Sequence, residues 1–198
     1  MKDIFEQFDW YEDLGQHATA WEGHILWVYN KIKEWKPKTV VELGVYLGHS
    51  LSTMAEGCRD EGLDSKLYGI DHFKGDEHSG FFGENIESIA TRCLGKYPNV
   101  TLIKKTFNKA LKEWNRREDK TIDLLHIDGR HFYDDIKEDF ENWEKFVPKG
   151  GHIILHDTQV TERDFGIGRY FKELQELHPE WKFSERLESH GLGICTKL

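Results

Sequence analysis

The sequence has few of the features that mark membrane, secreted or nucleic-acid-binding proteins. It contains no run of about 18 apolar residues, and its first residues, MKDIFEQFDWYEDLG, lack the apolar core of a signal peptide. Basic residues number 27 against 36 acidic ones, a formal charge of -9, which argues against nucleic acid or an anionic membrane as a partner. The three cysteines are scattered, which excludes a disulfide framework or a zinc cluster. These absences predict a cytoplasmic protein with a small-molecule partner.

What the sequence does contain is a regular alternation of strands and helices. With 38% hydrophobic residues in 198, one domain over 1–198 is expected. After an N-terminal helical segment within 1–36, predicted strands and helices alternate to about residue 177, and the runs WKFSERL and GLGICTKL predict an antiparallel hairpin. This order predicts a Rossmann-like, doubly wound, seven-stranded and mostly parallel sheet. The apolar N-terminal helix could pack on this sheet or against a second subunit, so a homo-oligomer stays open.

Polar residues follow the predicted strands where ligands bind in such sheets, outside the carboxyl ends of the strands. The first turn, ELGVYLGHS, keeps Gly44 and Gly48 but has Tyr46 where a dinucleotide-binding turn has its middle glycine. A ligand without a pyrophosphate therefore fits this turn better. Asp71 ends the second strand, where a carboxylate can accept both hydroxyls of a ribose. The two features together indicate a nucleoside cofactor.

The stretch VVELGVYLGHS resembles the first motif of class I S-adenosylmethionine-dependent methyltransferases, especially the catechol O-methyltransferase-like branch. Further along the chain, YGIDHFKGDEHSGFFGE, IDLLHIDGRHFYDDIKEDF, HIILHDT, DFGIGRYFKEL and HGLGI resemble a narrower group. That group contains macrocin-type sugar O-methyltransferases and cephalosporin-hydroxylase-like proteins. The resemblance runs from about residue 20 to the C-terminus. It implies S-adenosylmethionine as cofactor and transfer of a methyl group to a hydroxyl of a sugar, glycan or glycosylated small molecule.

The resemblance also implies which residues bind this cofactor. Residues of the first turn would surround its methionine end, Asp71 would hold its ribose, and residues after the third parallel strand would flank and hydrogen-bond its adenine. Phe107 is expected almost equally as a core aromatic residue. The implied cofactor-binding residues are Glu42, Gly44, Tyr46, Gly48, Ser50, Asp71, Phe107, Asn108 and Asp128.

The resemblance further implies a magnesium ion held by Asp128 and Asp157, with Thr158 as a further candidate ligand. Mg²⁺ prefers oxygen ligands, and coordination lowers the pKa of a bound hydroxyl and positions it. His156 stands where some relatives have an acid, and as a ligand it would favour Mn²⁺ or Fe²⁺. His131 matches the general base of the macrocin-type enzymes. We expect the start of the following helix to keep its imidazole neutral.

His126 and the segment 72–83, which contains two histidines, can be interpreted without a catalytic role. His126 is expected to be a satisfied core histidine. The segment HFKGDEHSGFFG, residues 72–83, is a Gly-rich loop whose length and position predict a lid. A solvated loop is the simpler interpretation, and a second metal site made of His72, Asp76 and His78 is less favoured than either.

Two other functions stay open at this point. Two histidines with a carboxylate could form an Fe(II) site for oxygen chemistry, as in a hydroxylase-like enzyme on the same fold. The chain could also be a non-catalytic cofactor-binding partner of another enzyme, although Asp128, His131 and Asp157 are all present. A nicotinamide dehydrogenase is least favoured, because the first turn lacks its middle glycine.

Overall fold

The structure is a computed structural model that describes residues 8–14, 17, 19–81, 83 and 85–198. Its strands are β1 (Thr39–Leu43), β2 (Lys66–Asp71), β3 (Gly75–Asp76), β4 (Gly80–Phe81), β5 (Val100–Lys104), β6 (Leu124–Ile127), β7 (His152–His156), β8 (Trp181–Arg186) and β9 (Leu192–Lys197). Its α-helices are α1 (Tyr11–Leu14), α2 (Ile25–Trp35), α3 (His49–Asp60), α4 (Asn85–Leu94), α5 (Phe107–Trp114), α6 (Tyr133–Trp143) and α7 (Ile167–Leu177). Short 3₁₀ turns cover Glu22–His24 and Glu144–Phe146.

Seven strands form one mixed sheet in the spatial order β5-β2-β1-β6-β7-β9-β8. The first five strands in this order are parallel, and β9 and β8 add an antiparallel hairpin. The predicted seven-stranded fold with its C-terminal hairpin is therefore confirmed. The chain leaves β1 toward β2 on one side and later returns to β6 on the other. This reversal places the crevice of the fold above the ends of β1 and β6.

Each face of the sheet carries its own apolar core. One core includes buried residues of α2, α3 and α4, and the other includes buried residues of α5, α6 and α7. Helix α2 packs on α3 of the same chain, with Val28 and Ile32 fully buried. Gly57 makes this approach possible, because a Cβ there would lie 3.0 Å from Ile32. The apolar face of the N-terminal helix is thus covered within the chain.

Two predicted segments lie partly outside the described residues, and helix α6 begins later than its sequence pattern predicts. Of the predicted segment 1–36, residues 1–7, 15, 16 and 18 lie outside the described residues, as do Phe82 of the predicted lid and Glu84. Helix α6 was expected to begin at 131 but begins at Tyr133, after an extended Phe132 (φ -71°, ψ 150°). Within the described parts of the chain, no helix is long and apolar enough to cross a membrane.

Candidate active site

The carboxyl ends of β1, β2, β6 and β7 open into one cavity of about 550 Å³, a size typical of small-molecule sites. Residues 19–21 close one side of it and part of the segment after β2 covers another. Ten of the residues predicted from the sequence line this cavity: Gly44, Tyr46, Ser50, Asp71, Phe107, Asn108, Asp128, His131, His156 and Asp157. Three others, Glu42, Gly48 and Thr158, do not line it.

The turn after β1 can be formed only with glycine at its first position. Gly44 has φ +92°, and a Cβ there would lie 2.6 Å from the carbonyl carbon of Asp128. The turn therefore presses directly against the end of β6. Gly48 has φ +99° and precedes the first residue of α3, so it ends the turn without reaching the cavity.

Asp71 holds this turn in place. Its Oδ2 accepts hydrogen bonds from the backbone N–H groups of Val45 (2.9 Å) and Tyr46 (3.0 Å), and its Oδ1 accepts one from Phe73 (2.7 Å). A carboxylate has about four acceptor positions. Asp71 thus connects the ends of β1 and β2, and it still lines the cavity with about one acceptor position left for a ligand hydroxyl.

Glu42 lies beneath the cavity and is fully buried. Its Oε1 accepts a hydrogen bond from the Ser50 hydroxyl and lies 2.7 Å from Nδ1 of His126. Burial raises the pKa of Glu42, against the lowering effect of His126. His126 is fully buried, as expected of a core histidine, but it is not fully satisfied, because its Nε2 has no hydrogen-bond partner among the described residues. This pair joins the cofactor turn to the strand that carries Asp128.

Phe107 and Asn108, the first two residues of α5, line the cavity after the end of β5. The Phe107 ring lies against Gly129, where a Cβ would be only 3.0 Å from the ring Cζ. Asn108 donates a hydrogen bond from Nδ2 to Glu138 on α6 (3.0 Å). Because Gly129 has no side chain, the flat face of the Phe107 ring stays uncovered beside the end of β6.

Asp128 and Asp157 meet His131 at the floor of the cavity. Nε2 of His131 lies 3.1 Å from Oδ2 of Asp157 and 3.9 Å from Oδ1 of Asp128. One donor atom from each of the three residues falls within 4.8 Å of the others. Asp157 has φ +63°, a conformation that costs a non-glycine residue about 1–3 kcal/mol and that concentrates at functional sites.

The prediction that the His131 imidazole is neutral is wrong for the side-chain arrangement in the structure. His131 lies two residues before the first residue of α6, so the helix start does not control its charge. Burial lowers its pKa, but the hydrogen bonds and charges of Asp128 and Asp157 outweigh burial and raise the pKa to about 9. Without a cation on these carboxylates, the imidazole is protonated at neutral pH.

The two residues beside Asp157 point in different directions. His156 Nδ1 lies 3.4 Å from Oδ1 of both Asp128 and Asp157, while its Nε2 donates to the Ser189 carbonyl (3.3 Å). Burial opposes its protonation, but the Asp128 and Asp157 carboxylates raise the pKa of His156 to about 10. The Thr158 side chain faces Gly191 at the start of β9. His156 is thus placed with the carboxylates, whereas the Thr158 hydroxyl is not.

Several cavity residues were not identified from the sequence. Asp139 on α6 lines the cavity, and burial together with the charges of Asp135 and Glu138 raises its pKa to about 8. The spacing of Glu138 and Asp139 three and four residues after Asp135, on one face of α6, was the available signal. Trp21 also lines the cavity, with its ring 5.0 Å from that of His126. No sequence pattern indicated that the N-terminal segment would reach this edge of the sheet.

The predicted lid, residues 72–83, contains a small antiparallel hairpin in which β3 pairs with β4. The His78 ring packs against Phe132 (4.3 Å between ring centroids) and Phe165 (4.4 Å) and lies 5.4 Å from the His131 ring. Arg130 binds Glu77 at 3.0 Å. The described part of the lid thus rests on His131, Phe132 and Phe165 at the floor of the cavity, and its opening stays a prediction.

The sheet order and the polar cavity at its switch point define a methyltransferase-type α/β fold. The sequence profile of the family described as "Methyltransferase domain" matches residues 41–158. The chain belongs to this family.

Two proteins of related sequence have names that state no activity. The y4gI protein of Sinorhizobium fredii (strain NBRC 101917 / NGR234) is 36% identical over 180 residues, which are 89% of this chain and 19% of that protein. Protein R132 of Acanthamoeba polyphaga mimivirus is 32% identical over 124 residues, or 61% and 52% of the two chains. This chain thus covers less than two thirds of the length of either relative.

Solved structures show the same fold at low sequence identity. A Staphylococcus aureus protein provisionally named as a caffeoyl-CoA O-methyltransferase has a TM-score of 0.71 at 17% identity, covering 99% of this chain and 93% of that one. The O-methyltransferase TomG of Streptomyces achromogenes, in complex with SAM, has a TM-score of 0.69 at 15% identity, with 100% and 91% covered. A Bacillus cereus O-methyltransferase in complex with SAH gives 0.68 at 14%, with 97% and 88% covered.

Proposed function

We propose that this protein is an S-adenosylmethionine-dependent, divalent-metal-dependent O-methyltransferase that acts on a hydroxyl of a sugar, glycan or glycosylated small molecule. The convergence of Asp128, His131 and Asp157 carries the proposal. Their donor atoms lie within 4.8 Å of one another, in a cavity whose wall includes the glycine turn after β1. A proton acceptor and two carboxylates beside a cofactor turn are what methyl transfer to a hydroxyl needs.

The cavity wall fits S-adenosylmethionine. The turn that begins at Gly44 lines the cavity where the methionine end would lie. Asp71 accepts hydrogen bonds from this turn, and Ser50 donates one to Glu42 beneath it. The Phe107 ring offers a flat surface for adenine beside Gly129. Both TomG and the Bacillus cereus enzyme bind this cofactor or its product, as their descriptions state. Bound S-adenosylmethionine would supply an electrophilic methyl group.

Asp128 and Asp157 fit a divalent cation. Oδ1 of Asp157 is buried and has no hydrogen-bond partner among the described residues, and such an atom is costly unless a ligand satisfies it. A cation held here would lower the pKa of an acceptor hydroxyl and cancel the negative charge that otherwise favours the imidazolium form of His131.

His131 is the proposed general base, acting at Nε2, the ring nitrogen that faces the two carboxylates. The Phe165 ring stacks on the imidazole with centroids 4.5 Å apart and an interplanar angle of 20°, which fixes its plane. Proton removal by one positioned group is worth roughly 10²–10⁴ in rate. Phe165 and Trp21 also line the cavity, where a sugar ring could stack on an aromatic side chain.

The nitrogen donor of His156 bears on which ion is used. Because Nε2 of His156 donates to a carbonyl, Nδ1 is the atom turned toward Asp128 and Asp157. A nitrogen ligand beside two carboxylates favours Mn²⁺ or Fe²⁺ over Mg²⁺. The same donor set supports the alternative of an Fe(II)-dependent hydroxylase-like enzyme. Oxygen uptake by Fe²⁺-loaded protein, without S-adenosylmethionine, would favour that alternative.

Calorimetric titration tests the proposal directly. Purified protein should bind S-adenosylmethionine and not NAD, and a separate titration with Mg²⁺ or Mn²⁺ should give heat that Asp128→Asn abolishes. Asp134→Asn is the matched control, because Asp134 is an exposed carboxylate outside the cavity. Sugar acceptors should then give S-adenosylhomocysteine and an O-methyl product by mass spectrometry, with His131→Gln slower by roughly 10²–10⁴. Absence of cofactor binding under every metal condition would refute the proposal.

A further inference from the structure

The lid contributes side chains to a second cluster of metal-ligating groups, on the opposite side of His131. One donor atom each from Asp76, His78 and His131 falls within 4.8 Å of the others. The second site considered from the sequence included His72 instead of His131. In the structure, Nδ1 of His72 accepts a hydrogen bond from the backbone N–H of Lys74 (3.0 Å), so this histidine is engaged within its own loop.

Both histidines of this cluster have one ring nitrogen committed to a hydrogen bond and the other free. Nε2 of His78 donates to the Arg163 carbonyl (2.6 Å), so Nδ1 carries the lone pair of the neutral ring. Nε2 of His131 faces Asp157 at 3.1 Å. Nδ1 of each ring is buried and has no hydrogen-bond partner among the described residues. Histidines that bind metals typically donate their other N–H to a carbonyl or carboxylate, as these two do.

Asp76 completes the set with an oxygen donor. Its Oδ1 accepts hydrogen bonds from the backbone N–H groups of His78 (2.8 Å) and Ser79 (2.9 Å), which fixes the carboxylate at the hairpin turn. The same carboxylate supplies the oxygen donor of the cluster. Two imidazole nitrogens and one carboxylate form a donor set typical of Zn²⁺ sites with an open fourth position.

We propose that Asp76, His78 and His131 form a second metal site, for Zn²⁺ or a similar transition-metal ion, which fastens the lid to the catalytic floor. The site uses Nδ1 of His131, the ring nitrogen that faces away from Asp128 and Asp157. An ion held at Nδ1 keeps the ring proton on Nε2, so an occupied site and proton removal by His131 exclude each other, and the occupied site would hold the enzyme inactive. It binds a nitrogen-preferring ion, whereas the first donor set is richer in oxygen. Its existence does not depend on the protein's being a methyltransferase.

Cobalt titration of the full chain tests this site, since four-coordinate Co²⁺ absorbs visibly where Zn²⁺ is silent. An Asp128→Asn background removes one carboxylate of the first donor set. In that background we expect one equivalent of Co²⁺ to give strong visible bands that Zn²⁺ bleaches. Adding His78→Ala should weaken binding by more than the roughly 10–100-fold cost of losing an outer-shell partner. His72→Ala, a lid histidine outside the cluster, should leave the bands unchanged.

A second variant and a second measurement distinguish loss of the metal site from misfolding of the variant. Asp76→Asn should also weaken Co²⁺ binding, with an unchanged circular dichroism spectrum. Zn²⁺ should slow tryptic cleavage at Lys74, an exposed lid residue, and His78→Ala should abolish that protection. Bands that persist in His78→Ala, or no bands in the Asp128→Asn background, would overturn the proposal. Neither readout uses S-adenosylmethionine, so a failure of the methyltransferase proposal would be seen separately.

Discussion

Replacing Gly44 by alanine tests how tightly the turn after β1 packs against the end of β6. Gly44 meets two demands at once, a left-handed backbone and the absence of a Cβ. Its φ of +92° disfavours any side chain, and a Cβ would lie 2.6 Å from the carbonyl carbon of Asp128 and 3.1 Å from the amide nitrogen of Gly129. These neighbours are backbone atoms, so no side-chain rotation can relieve the contact.

The expected cost follows from these two terms. A left-handed backbone costs a non-glycine residue about 1–2 kcal/mol. Forcing an extra carbon into a packed site costs about 1–3 kcal/mol more. Gly44→Ala should therefore lower the free energy of unfolding by about 2–5 kcal/mol. For a chain of this length that corresponds to a fall in Tm of roughly 4–20 °C.

Gly150→Ala is the matched control, because Gly150 has φ +81° and a Cβ there would have nothing within 4 Å. It should cost only the backbone term, about 1–2 kcal/mol. Urea unfolding followed by circular dichroism measures both variants, and calorimetry with S-adenosylmethionine should show weakened binding for Gly44→Ala alone. Equal destabilisation by the two substitutions would refute the claim that the turn and β6 are in direct contact.

Two further predictions concern buried ionisable groups in metal-free protein. The folded-state pKa of His131 is about 9, above its ordinary 6.5, so its stabilisation is complete below about pH 6.5 and is lost as the pH rises through 9. His131→Gln should thus cost roughly 2–3 kcal/mol more at pH 6 than at pH 9.5 in urea unfolding, and a pH-independent loss would contradict this assignment. The pKa of Asp139 is raised to about 8, so its ionisation removes stability as the pH rises from about 4 through 8. Asp139→Asn should therefore stabilise the protein by a few kcal/mol at pH 8.5 and little at pH 4, unlike the exposed control Asp134→Asn; destabilisation at pH 8.5 would count against it.

Much of the architecture could be predicted because it depends on local pattern. Buried strands such as TVVEL and HIILH are short apolar runs, and the intervening helices have apolar residues at helical spacing. The alternation then leaves few possible topologies. The ends of the strands followed from the same pattern, so Asp128 and Asp157 were expected at one edge of the sheet and are found there.

The charge state of His131 could not be predicted in this way. The sequence places it just before a helix, and that neighbour suggested a neutral ring. In the structure the carboxylates of Asp128 and Asp157, the second of them 3.1 Å from Nε2 and reached from a different strand, raise the pKa instead. Glu42 and Asp71 show the same limit. Their positions matched the family pattern, but Glu42 faces a buried histidine and Asp71 binds the backbone of the first turn.

The sequence by itself determined the order of the elements, the sheet class and the set of polar residues at the strand ends, because each of these depends on neighbours within a few positions along the chain. Only the tertiary structure decided which of those polar groups face each other. It turned His156 toward Asp128 and Asp157, directed Thr158 toward β9, and brought His78 of the lid to His131. These pairings join residues distant in the chain, and hydrogen bonding and charge act over a few ångströms of space whatever the separation in sequence.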